Sequence, residues 1–79
     1  MSWPATLTEA VAVVGIHLTT ARRMQLAEPT DDLLAEVAEM VGLGEGQNPG
    51  LLRALGAVDA RDAARRIVAA VRSDSPSAR

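Results

Sequence analysis

Apolar residues recur along this chain at helical rather than strand spacing, in stretches separated by proline, glycine and short polar side chains. The first stretch opens on Thr6-Leu7-Thr8-Glu9, a capping box. In that motif the Thr6 hydroxyl accepts from the Glu9 amide and the Glu9 carboxylate returns to the Thr6 amide. A helix is predicted from there over about 7–27, ending where Glu28 precedes Pro29 and is pushed out of the helical region. Leu7, Val11, Val14, Leu18 and Ala21 form its seam, and Val13, Ile16 and Met24 widen the apolar surface past half the circumference. Gly15 in mid-helix costs about 1 kcal/mol relative to alanine, and close approach by another helix is a reason to keep it.

The second predicted helix covers about 31–41, with Thr30 as N-cap and Asp31 and Asp32 on the positive end of its dipole. Leu33, Leu34, Val37, Met40 and Val41 line its buried side, opposite Asp32, Glu36 and Glu39, and Gly42 is placed to stop it. The glycine-rich run 42–47 reads as a mobile loop. Asn48-Pro49 then supplies a cap and a proline at the first helical position of a short helix over 49–55. Asp59 caps a last helix over 60–72, whose Ala60, Ala63, Ala64, Ile67, Val68 and Val71 share one face and Arg61, Arg65, Arg66 and Arg72 the other. Together these predict an all-α fold, a compact four-helix bundle with the first helix as its central and longest member. It forms one domain over 1–72, and the Ser/Pro-rich tail 73–79 reads as disordered.

Composition adds a constraint on stability. A chain of 79 residues buries only roughly 60% of its unfolded surface. Here the apolar fraction is carried by Ala, Val and Leu, with Trp3 the only aromatic. Small side chains each bury little area, so self-association or docking would help hold the fold. The absence of cysteine excludes a disulfide framework and a thiolate zinc site, and His17 alone makes no histidine cluster. No cofactor, metal site, catalytic residue or small-molecule substrate is therefore expected, and no nucleophile has an evident base. The longest apolar run, Ala10 to Ile16, is far short of the roughly 20 residues that span a bilayer. The N-terminus lacks the basic stretch of a secretory leader, so a cytoplasmic location is expected.

Charge is divided by region. Residues 1–27 carry +1, residues 28–47 carry −6 and residues 48–79 carry +3, for a net charge of −2. Such a surface fits head-to-tail pairing or a charged protein partner, and equally two helices that turn solvated faces outward. It gives no overall attraction to nucleic acid or to an anionic membrane.

The run Ala38-Glu39-Met40-Val41-Gly42-Leu43, followed by Leu51-Leu52-Arg53-Ala54-Leu55, resembles a helix-turn-helix over about twenty residues. That resemblance implies a small DNA-binding regulator. Gly46-Gln47-Asn48-Pro49-Gly50 stands where a base-reading helix start belongs, however, and the preceding helix is acidic. In size and helix rhythm the chain is similar to small helical adaptor domains of the Death-like and effector-associated kinds, which implies protein–protein contact. The reading that follows is a non-enzymatic interaction module that self-associates or docks on a larger partner. The alternatives are the regulator and a structural subunit of a phage or other assembly. The residues expected to meet a partner are Val11, Val14 and Leu18 on the first helix, Glu36 and Glu39 on the acidic side, and Arg61, Arg65 and Arg66 on the basic one.

Overall fold

The computed structural model describes residues 3–74. Its elements are α1 (Leu7–His17), α2 (Thr20–Arg23), α3 (Asp31–Met40), α4 (Pro49–Leu55) and α5 (Ala60–Asp74). The fold is all-helical, and the predicted four-helix bundle is recovered with one of its helices divided.

The division falls in the predicted 7–27 helix. Leu18 and Thr19 are extended, with ψ of 133° and 164°, and the Thr19 hydroxyl accepts from the Arg22 amide as the cap of a new turn. A threonine side chain that bonds to the backbone competes with the helical ladder, and here it wins. Extending Leu18 also swings its side chain into the core, where it is buried. Beyond α2 the chain continues as turns that bury Leu26 before Pro29. The first helix is therefore not the longest member. That place belongs to α5, which also packs the most extensively, chiefly against α3 and α1, although α1 too touches α3, α4 and α5.

Capping chemistry sets most of the remaining boundaries. Thr6 accepts from the Glu9 amide at 3.2 Å, while the Glu9 carboxylate bonds the amide of Ala5 at 2.8 Å rather than that of Thr6. Thr30 caps α3 through the Leu33 amide at 3.1 Å. Asp59 accepts from the Asp62 amide at 2.8 Å, and Asp62 reaches back to the Val58 amide at 3.1 Å, which closes a reciprocal cap on α5. α5 runs through Ser73 and Asp74, beyond the predicted end at Arg72; the rest of the expected disordered tail, 75–79, lies outside the described residues.

α3 ends in a Schellman motif on Gly42. The Leu43 amide donates to the Ala38 carbonyl at 2.8 Å and the Gly42 amide to that of Glu39 at 3.2 Å. Gly42 has φ of 80°, and the Trp3 indole lies so close over it that an added Cβ would sit 2.6 Å from the ring. Trp3 is thus a plug laid on the turn. Of the expected loop 42–47, Gly42 and Leu43 are buried in the end of α3 and 44–47 face solvent.

Asn48 ties three segments together. Its Oδ1 accepts from the Leu51 amide at 3.3 Å, which caps α4. Its Nδ2 donates to the carbonyls of Pro4 at 2.7 Å and Val41 at 2.9 Å. One buried amide therefore satisfies groups from the N-terminal segment, the end of α3 and the start of α4. In the core Leu33, Leu51, Ile67, Val14, Val37 and Val41 are fully buried, each contributing about 1.5–3 kcal/mol of hydrophobic stabilisation.

Candidate functional site

α1 buries Ala10 and Val14 and turns another apolar face outward. Leu7, Val11 and Gly15 form one i,i+4 row, and Thr8, Ala12 and Ile16 the row beside it. These residues, with Ala70 of α5, line an open groove of about 510 Å³. Ile16 is 79% exposed and Leu7 39%, whereas Val11 is half-buried at the groove's floor. Among the described residues this six-residue face is an apolar surface without a partner.

Gly15 sits in the middle of this face. A Cβ built there would meet nothing within 4 Å, so no close approach among the described residues accounts for the glycine. Its carbonyl, freed by the break after His17, accepts from the Arg23 guanidinium. The two ends of the face therefore differ in charge, with Glu9 at the N-terminal end and Arg23 at the C-terminal end. His17 is exposed, and its Nδ1–H donates to the Val13 carbonyl at 2.8 Å, an ordinary intrahelical contact.

A second, smaller groove of about 340 Å³ runs between α3 and the start of α5, lined by Leu34, Ala35, Ala38, Gly44 and Ala60. The Asp31–Arg61 ion pair, 2.8 Å long, stands at its edge with Glu39.

The residues expected to meet a partner fall into three groups. Val14 and Leu18 are buried in the chain's own core, so their side chains are spent on folding, while Val11 stays within reach of the groove. Glu36 pairs with Arg22 at 2.9 Å and Arg61 with Asp31, which couples the acidic α3 to α2 and α5 inside one molecule. Arg66 bonds the Asp62 carboxylate and the Leu55 carbonyl, each at 3.2 Å. Glu39 and Arg65 are exposed. The Val58 amide above all holds the Asp62 carboxyl below the usual carboxylate range, against the opposing effect of desolvation and with Arg66 and Arg65 lowering it further. Glu36, Arg61, Asp62 and Arg66 thus serve a cap and surface ion pairs, each pair worth roughly 0–1 kcal/mol.

Sequence reasoning missed Leu7, Thr8, Ala12, Ile16 and Ala70 as the lining of one groove. The i,i+4 rows were present in the sequence, but only the position of α5 shows which of the several apolar faces of α1 is left over.

Among the described residues no group of three or more His, Asp or Glu side chains is placed to hold a metal ion, and no helix is long and apolar enough to cross a membrane. Compared with protein-family models, curated proteins and solved structures, the chain matches none.

Proposed function

We propose that this chain is a non-enzymatic protein-interaction module that docks through the outer face of α1, on a copy of itself or on a larger protein. The observation that carries the reading is the groove of Leu7, Val11, Gly15 and Ile16, in which a large side chain stands 79% exposed beside a glycine that no described residue crowds. Burying such a side chain contributes about 1.5–3 kcal/mol, and a small core gains from any surface that covers it. An adaptor and a subunit of a larger assembly both use a face of this kind.

DNA binding through the helix-turn-helix-like segment finds less support. α3 is acidic, and Arg22 and Arg61, two of the cations nearest to it, are paired with its own carboxylates. We place the module in the cytoplasm, a proposal that cell fractionation checks.

The test is recovery of bound protein from the native source with wild-type chain and Ile16→Glu as baits, both first shown to be folded by circular dichroism. A protein, including the chain's own untagged copy, that wild type retains and Ile16→Glu loses supports the reading. Equal recovery on both baits contradicts it.

A further inference from the structure

We infer that the occupant of the α1 groove is the α1 face of a second copy, packed antiparallel about a twofold axis between Val11 and Ala12. This rests on the docking reading above and names its partner.

The argument begins with the order of side chains along α1. Reversing the helix about the point between Val11 and Ala12 sets Leu7 against Ile16 of the other copy, Thr8 against Gly15, and Val11 against Ala12. All six α1 residues of the groove are used, and none is left without a counterpart. Two of the three pairs match a larger side chain with a smaller one: valine meets alanine at the centre, and threonine lies over a glycine with open space above it, while the groove's two largest side chains, Leu7 and Ile16, make an apolar contact at each end. A twofold contact must be self-complementary in this sense, since each residue supplies both sides of the interface.

The paired rows at i,i+4 spacing are the ridges that interdigitate when two helices pack, and the commonest crossing uses these ridges on both helices. Gly15, about one turn from the crossing point, leaves room for Thr8 of the other copy. No contact among the described residues explains its presence in mid-helix, because a Cβ there would touch none of them.

Charge agrees with the antiparallel direction. Glu9 marks the N-terminal end of the face and Arg23, bonded to the Gly15 carbonyl, the C-terminal end. An antiparallel pair brings Glu9 of each copy toward the Arg23 end of the other, whereas a parallel pair would set like charges together. The contact is small beside a standard interface, so it is expected to be weak and reversible rather than obligate.

The test uses the purified full chain, which has no cysteine of its own. Sedimentation equilibrium should show a concentration-dependent rise from monomer toward twice the monomer mass, lost in Ile16→Glu. Mild oxidation of a mixture of Leu7→Cys and Ile16→Cys chains should give mainly the mixed disulfide, with little of either like-with-like product. Gly15→Ala should raise thermal stability, since the added methyl is unopposed in the monomer, and yet weaken self-association by about tenfold or more. A chain that stays monomeric at high micromolar concentration overturns the inference. So do like-with-like disulfides at equal yield, or unchanged association of Gly15→Ala. If the purified chain is monomeric but the Ile16-dependent capture described above persists, the partner is a different protein and the docking reading stands. If neither is seen, both fall.

Discussion

Replacing Asn48 by alanine removes three hydrogen bonds from the point where three segments meet. The lost cap on the Leu51 amide costs about 1 kcal/mol. The carbonyls of Pro4 and Val41 lose donors now at 2.7 and 2.9 Å, and an unsatisfied buried acceptor costs about 1–3 kcal/mol. Water can enter beside the smaller alanine, which puts each carbonyl near the low end of that range, for a total of about 3 kcal/mol. A domain of this size has only about 4–11 kcal/mol in all, so the change removes a large share and lowers Tm by roughly 12–24 °C. Urea unfolding followed by far-UV circular dichroism gives the loss directly. Trp3 fluorescence supplies an independent readout, because Pro4 next to it loses its tether to α4. Asn48→Asp keeps the cap but turns a second oxygen toward both carbonyls, so at neutral pH it should be no better than Asn48→Ala. A loss below about 1 kcal/mol for Asn48→Ala would refute the clamp and reduce Asn48 to an ordinary helix cap.

Other consequences are equally measurable. Ile67→Ala empties a fully buried position on α5 and should cost about 2–5 kcal/mol by chemical denaturation, whereas Ile16→Glu, at 79% exposure, should stay within about 0.5 kcal/mol of wild type in the monomer. Gly42→Ala must strain a backbone at φ of 80° and displace Trp3, so both a lower Tm and a shifted tryptophan emission are expected, and unchanged emission would mean the indole does not rest on that turn. Asp62 has a folded-state pKa below its ordinary value of 3.8, so the stability it adds is present above that value and is lost as pH falls through the lower one. The Tm difference between wild type and Asp62→Asn should therefore shrink on acidification below 3.8, and a difference independent of pH would contradict the assignment.

What could be read in advance followed how sharply each segment separates its apolar and polar sides. α5 sets Ala63, Ala64, Ile67, Val68 and Val71 opposite four arginines, and its start and buried face came out as expected. α3 behaved likewise, with Thr30 and Gly42 marking its ends. α1 is apolar on nearly every side, so periodicity alone does not say which face α5 covers. The break after His17 was hidden for a related reason. Thr19 caps as readily as it continues a helix, and what decided between them was the burial of Leu18, a tertiary effect. Asn48 was legible as a cap because the acceptor and its amide lie three residues apart. Its bond to Pro4 joins residues 44 positions apart, and nothing local encodes it. The division of charge was visible as a pattern, but its use within one molecule, Arg22 to Glu36 and Arg61 to Asp31, depended on which helices became neighbours.

The most direct test of the docking face is a dilution series of amide chemical shifts in the uniformly labelled chain. Twofold pairing of α1 predicts concentration-dependent shifts over residues 7–16 and at Ala70, with those of α4 and the exposed face of α3 unchanged. Shifts that ignore concentration, or that gather on α3 and α4 instead, would contradict self-pairing through α1.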